Sequence, residues 1–423
     1  MKMSLSLLFA FFCLACSSQK KENSVAFVHA RILDVEHMQV WEDATLLVKD
    51  GRIQNLGLAE TLEVPEGSEV IDLNGKTLVP GLINTHAHVG YAGAVRAENY
   101  SAENIQTQLE KYAGYGITTV ASLGEDRAAA EAFRQANDST LSPGRAKLYI
   151  AGEIIYGQTE EEVRANVDKD VQQGVDFIKI RVDNNRRRGE AMPAEIYAAV
   201  IDEAHKQNKM LAAHMYDLDI AKDLLDKGAD FLAHSVRDKE VDEDFIVLIK
   251  EKNVAYCPTL TRDLSTFVYG ERPAFFDDPY FLKAVSPKEV ATLEEAGFQK
   301  SVREGQDYEA NQAALKMAMK NLKILSDSGV RIAMGTDSGM PNRFQGYFEH
   351  LEMEMMAEAG MSNWAVLKSA TLDAAKGLRL PDIGLLKKGY LADFLILRAD
   401  PLEDIKNLRE IESVWIGGKA LQN

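Results

Sequence analysis

From residue 82 to residue 378 the chain alternates short apolar runs with longer stretches whose apolar residues recur every three to four positions. Runs of the first kind read as buried strands, and stretches of the second as helices packed against them. Eight runs can be counted: Leu82 to His86, Ile117 to Ser122, Lys147 to Ala151, Phe177 to Val182, Leu211 to His214, Phe231 to His234, Val254 to Pro258 and Arg331 to Thr336. Helical periodicity fills most of the intervals, as in Ala194 to Lys206, Ile220 to Lys227 and Ala310 to Asp327. Repeated βα units predict an α/β fold with a parallel sheet. Eight of them predict a (β/α)8 TIM-type barrel over 81–387, with its working face at the carboxyl ends of the strands. A doubly wound open sheet is the competing topology.

The two chain ends are written differently. Ala26 to Leu33, Ala44 to Val48 and Ile53 to Gly57, with the turn Lys49-Asp50-Gly51-Arg52, have the vocabulary of β-hairpins, and similar text returns at Ala392 to Leu397 and Ser413 to Ala420. Neither end can close a core alone. Segments 26–80 and 388–423 are therefore predicted to form one small β-sandwich domain, with the barrel as a single insert. His29 and His37 fall in this domain and are expected to be surface or structural residues. The span 264–306 is long for a loop and holds Phe267, Tyr269, Phe275, Phe276, Tyr280 and Phe281. It is expected to form a cap-like insertion bordering a pocket, the alternative being a structural or homo-oligomer contact.

The first residues form a separate pattern: Lys2, an apolar run from Leu5 to Ala15, then Cys16-Ser17-Ser18-Gln19-Lys20-Lys21. The run is too short for a lasting membrane span and has the layout of a secretory signal, so 1–15 is expected to be a signal peptide and 16–25 a polar linker. Leu14-Ala15-Cys16 also resembles a bacterial lipobox, although Cys13 stands where Leu is usual. Cys16 is thus the expected lipidation site of an exported periplasmic or outer-surface lipoprotein, with plain secretion as the alternative. Cys257 would then be the single remaining thiol, which leaves no intramolecular disulfide. A formal charge of −17 disfavours nucleic acid and anionic lipid surfaces, so membrane contact is expected only through the lipid anchor and the partner is a small-molecule substrate.

Chemistry enters at the strand ends. In Val79-Pro80-Gly81-Leu82-Ile83-Asn84-Thr85-His86-Ala87-His88, the two histidines lie two apart on a strand and face one side, half a shell for a cation such as zinc. Lys179 sits within the fourth run, His214 and His234 end the fifth and sixth, and Asp337 follows the eighth in Gly335-Thr336-Asp337-Ser338. Singly, each has an ordinary reading as a hydrogen-bonded core residue or helix cap. A lysine in an apolar strand is the least ordinary, because a buried ammonium loses its proton readily and a neutral amine can capture CO2 as a carbamate.

This set resembles the metal-dependent amidohydrolase superfamily over nearly the whole chain. The likeness is carried by the stretch ending in His86 and His88, by Phe177-Ile178-Lys179-Ile180, His214, Ala233-His234-Ser235, Met334-Gly335-Thr336-Asp337 and Gly384-Leu385-Leu386-Lys387-Lys388-Gly389-Tyr390-Leu391-Ala392-Asp393-Phe394. The lysine is similar to that of the binuclear branch with imidazolonepropionase-like proteins and Xaa-Pro dipeptidases. The resemblance implies two divalent metals, with zinc first and manganese, cobalt or iron compatible. His86, His88 and Asp337 would hold one, His214 and His234 the other, and a carboxylated Lys179 would bridge them. One departure is Thr371-Leu372-Asp373-Ala374-Ala375, where relatives commonly have Thr-x-Asn-Pro-Ala.

Such a pair implies hydrolysis of an amide C–N bond, for example in a dipeptide or N-acyl amino acid, with Asp337 as general base and then general acid. Tyr216, Arg237 and Arg262, on loops after the strands, are candidate substrate contacts, the arginines as carboxylate grips or else as salt-bridge partners. The rivals are a lactonase or phosphotriesterase using the same metals, a deaminase, and a non-catalytic scaffold. A deaminase would carry His-x-x-Glu where this chain has His214-Met215-Tyr216-Asp217, and a scaffold would be expected to have lost ligands.

Overall fold

The computed structural model describes residues 24–422 apart from 94, 96–98, 137–143, 184–190 and 284. The signal segment 1–15, Cys16 and most of the linker lie outside the described residues. Five strands open the fold: β1 (Ser24–Asp34), β2 (Gln39–Lys49), β3 (Arg52–Leu58), β4 (Glu69–Asp72) and β5 (Thr77–Pro80). The first three form an antiparallel meander. The second hairpin turns on Asp50 and Gly51, both at positive φ as a two-residue turn of this hand requires.

Next come β6 (Leu82–Ala87), β7 (Ile117–Ser122) and β8 (Lys147–Ile150), a three-stranded parallel sheet. Then β9 (Ile154–Ile155), β10 (Ile178–Arg181), β11 (Leu211–His214), β12 (Phe231–Ala233) and β13 (Ala255–Cys257) form a five-stranded parallel one. Helices follow most of these strands, among them Ala194–Lys206, Leu218–Lys227 and Tyr308–Asp327. The Asp176 and Phe177 amides both donate to the Ile150 carbonyl at 2.8 and 3.3 Å, linking the two sheets on one side.

The eighth expected run is no regular strand, yet its backbone lies between β13 and β6. Ala333 N donates to Tyr256 O (2.9 Å), while Met334 O accepts from Thr85 N (3.0 Å) and Thr336 N donates to His86 O (3.1 Å). Its approach is close. A Cβ on Gly335 would lie 2.6 Å from Cys257 Sγ and 2.9 Å from His86 N, so only glycine fits.

The chain closes with β14 (Phe394–Leu397), β15 (Ile411–Ile416) and β16 (Lys419–Ala420), which join the first strands in the order β16-β15-β14-β5-β1-β2-β3, with β4 beside β1. The two ends do combine. The pairing is one mixed eight-stranded sheet, however, and the expected sandwich is not shown, for a reason visible in β14. Phe394 and Ile396 enter a core with Phe27, Ile32 and Leu46, whereas Leu395 and Leu397 enter the large core with Leu109 and Ile117. One face of the sheet is thus covered by the insert, where a sandwich would place a second sheet. Across this junction the ammonium of Lys147 on β8 pairs with the carboxylate of Asp393, both buried.

The span 264–306 forms short helices at Pro279–Leu282, Pro287–Leu293 and Ala296–Arg303. Tyr269, Phe276 and Phe281 are buried with Phe344, Tyr347 and Phe348. Arg409 holds the insertion from outside through Asp278 (2.6 Å) and over the Tyr280 ring. No helix of the described residues is long and apolar enough to cross a membrane.

Candidate metal centre

The carboxyl ends of β6, β10, β11 and β12 and the turn after residue 336 bring all six candidate ligands into one buried region. His86, His88, Lys179, His214, His234 and Asp337 are each at most 7% exposed. The rings of His86 and His234 lie 4.7 Å apart between centroids, those of His214 and His234 4.1 Å, and those of His86 and His88 5.7 Å. Ligand atoms of His86, His234 and Asp337 all fall within 4.8 Å of one another. This trio cuts across the two ligand sets that the resemblance implies.

The imidazoles differ in their second contacts. His88 donates from Nδ1 to the Gly124 carbonyl (2.9 Å) and lies 2.8 Å from Asp337 Oδ1 through Nε2. Burial works against its charged form, but Asp337 outweighs this and the pKa is raised. His214 contacts Asp183 at 3.1 Å, yet burial still depresses it to about 3. His234 shares a 2.7 Å hydrogen bond with Thr259 Oγ1, and burial together with the neighbouring His214 and His86 keeps it well below the usual histidine range. His86 is lowered in the same way by burial and by Lys179. Neutral imidazoles are the form that ligates metal.

Among the six candidate ligands, two buried atoms have no hydrogen-bond partner in the described residues: His86 Nδ1 and Lys179 Nζ. Leaving such groups unpaired is costly, and burial already pulls the Lys179 pKa down to about 8. Four imidazoles, one carboxylate and an orphaned amine fit a site for divalent cations, with the amine open to carboxylation.

Asp337 has φ 59° and accepts from the Arg343 guanidinium. Burial favours its neutral form, but Arg343, His86 and His88 overcome this and hold the carboxyl well below its usual range. Arg262 Nε stands 4.0 Å from Asp337 and its Nη1 donates to Asp263 (2.8 Å). Arg237 is buried, pairs with Asp263 (3.2 Å), donates to the Ser235 carbonyl (2.7 Å) and stacks on Tyr216 at 4.6 Å. These two arginines therefore line the interior and are not surface pairs. Arg343, with Glu289 of the insertion, also borders a cavity of about 260 Å³. His29 and His37 are exposed and pair with Asp72 and Asp34, away from the site.

Asp183, Thr259 and Arg343 were not singled out from the sequence. A carboxylate directly after a candidate strand, in Arg181-Val182-Asp183, was the one available signal for Asp183.

Residues 77–421 match the profile of the amidohydrolase family. Ochratoxinase of Aspergillus niger is 28% identical over 295 residues, covering 66% of this chain and 53% of that protein, so the chain spans about half the length of that relative. Imidazolonepropionase of Idiomarina loihiensis is 22% identical over 405 residues, 90% of this chain and 92% of that one. Among solved structures, a Xaa-Pro dipeptidase with bound methionine superposes with a TM-score of 0.74 at 21% identity over 95% of this chain and 100% of its own. The A. niger ochratoxinase structure gives 0.71 at 19% identity over 95% and 96%. Both structural likenesses speak to the fold.

Proposed function

Because this chain belongs to the amidohydrolase family, we propose that it hydrolyses an amide C–N bond in a small substrate such as a dipeptide or N-acyl amino acid. The observation that carries the reading is the convergence of four histidines and Asp337 with the unpartnered amine of Lys179. In this reading His86, His88 and Asp337 would hold one divalent cation, His214 and His234 would hold a second, and a carboxylated Lys179 would serve both. Zinc suits the imidazole-rich set. When bound, such a pair supplies a hydroxide nucleophile at neutral pH and polarises the scissile carbonyl.

The chain's own residues supply the proton transfers. Asp337 is kept ionised by Arg343 and the histidines beside it, so its carboxylate can take the nucleophile's proton and return it to the departing nitrogen. Arg262, the more exposed of the two arginines first singled out, is the candidate grip for a substrate carboxylate, and Arg237 orders Tyr216 and Asp263. The parallel sheets are read as arcs of one (β/α)8 barrel over 81–387, with the β-domain of 26–80 and 388–423 at its side and 264–306 as a cap. The test is a turnover screen of the metal-reconstituted protein against dipeptides, N-acyl amino acids, lactones and aminopurines. Faster turnover of lactones than of any amide would replace the reading with a lactonase, and ammonia release from aminopurines with a deaminase.

A further inference from the structure

One helix, Tyr347–Glu358, carries two fully buried carboxylates a single turn apart, Glu349 and Glu352, and neither touches a candidate ligand directly. Their hydrogen bonds divide the site between them. Glu349 accepts from Asn84 Nδ2 (2.7 Å), Thr336 Oγ1 (2.8 Å), Ser338 Oγ (2.6 Å) and the Gly346 amide (2.6 Å). Asn84 in turn accepts from the His86 amide at 3.0 Å. The residues on both sides of Asp337, and the residue that fixes the His86 backbone, are therefore bound to one carboxylate.

Glu352 does the same elsewhere. It accepts from the Leu260 amide, the Thr261 amide and Thr261 Oγ1, each at 2.7 Å. The preceding residue, Thr259, bonds His234 Nδ1, and Arg262 follows directly. Asp337, His234 and Thr259 all have positive φ (59°, 76° and 47°), a region that non-glycine residues occupy only when their surroundings over-determine it. Four donors into Glu349 and three into Glu352 are such surroundings.

We infer that Glu349 and Glu352 are paired positioning residues: Glu349 sets the His86 and Asp337 side of the metal centre, and Glu352 sets the His234 side through Thr259. The inference rests on the metal-centre reading proposed above. A glutamine at either position keeps the shape but turns an –NH2 towards N–H or O–H donors, which loosens the turn it holds.

The experiment compares the parent with Glu349→Gln and Glu352→Gln by zinc content, zinc affinity in a chelator competition, and the metal-free and zinc-loaded unfolding midpoints. Milder Ser338→Ala and Thr261→Val variants each remove one donor, should either glutamine variant fail to fold. The expected result is zinc affinity weakened on the order of 10- to 100-fold, with one equivalent of zinc affected in each variant, so that the zinc-loaded midpoint falls further than the metal-free one. Fall of the metal-free midpoint by as much as the loaded one marks a merely structural role and overturns the inference. Parental zinc affinity in folded variants also overturns it. A parent that takes up no zinc, manganese, cobalt or iron fails the proposed function itself.

Discussion

The junction between the chain ends and the insert offers a direct test of what ties the fold together. Lys147 and Asp393 are 5% and 4% exposed in their side chains and pair across it, and Asp393 also accepts from the Gly417 amide at 2.8 Å. Lys147→Met removes the ammonium and strands the carboxylate with one neutral donor. Breaking a buried pair from one side typically costs about 3–5 kcal/mol, because the remaining charge is left without compensation. The Lys147→Met/Asp393→Asn double variant leaves no orphaned charge and should recover most of that loss, so the coupling in the four-member cycle should be at least about 2–3 kcal/mol. Urea unfolding followed by circular dichroism measures all four proteins, at low and high salt, since a buried pair is weakly screened. A cost below ~1 kcal/mol for Lys147→Met, or strict additivity in the cycle, would refute the view that this pair is a desolvated tie between the two parts.

Three further outcomes are expected. Arg262→Ala should raise KM for substrates with a free carboxylate by roughly 10- to 100-fold, the worth of a charge-assisted pair of about 1.5–3 kcal/mol, while blocked amides change little; equal losses on both would remove its role as a grip. His350, whose ring donates to the Tyr115 carbonyl at 2.8 Å, is held down by burial to about 3 from 6.5, so it stays neutral in the fold while the unfolded chain protonates. Its stabilisation is present above pH 6.5 and is lost as pH falls towards about 3; His350→Gln should flatten that part of the acid limb, and an unchanged slope would count against it. Cys16→Ser should release an otherwise membrane-partitioning mature protein or block its processing, and an unmodified N-terminus elsewhere by mass spectrometry would rule the lipid anchor out.

Much of this architecture was legible because it rests on local periodicity. Ile117–Ser122 and Leu211–His214 form strands within the limits that their apolar runs predict, and Ala194–Lys206 is the helix that its spacing predicts. The run from Arg331 was legible as a segment but not as a regular strand, because each flank is met by isolated backbone bonds and Gly335 is squeezed between Cys257 and His86. The expected sandwich rested on hairpin text at both ends, which cannot say whether the strands share edges or faces. β14 pairs edge to edge with β5 and β15.

The ligands were legible because the histidines and Asp337 lie at or just past the ends of apolar runs and Lys179 is a lysine inside one. Their supports were not: Glu349 and Glu352 lie 263 and 118 residues from His86 and His234 along the chain (349 − 86 and 352 − 234), in a helix whose pattern carries no chemical signal. Arg343 was equally hidden, since its role depends on a turn that brings it to Asp337.

The proposed centre holds two metals bridged by a carboxylated lysine. Metal analysis of fully active protein, combined with 13C NMR after incubation with labelled CO2, tests it most directly. Two equivalents per chain and a carbamate carbon signal are expected, both lost with activity in Lys179→Ala. One equivalent in fully active protein, or a Lys179→Ala variant that keeps its metals, would contradict it.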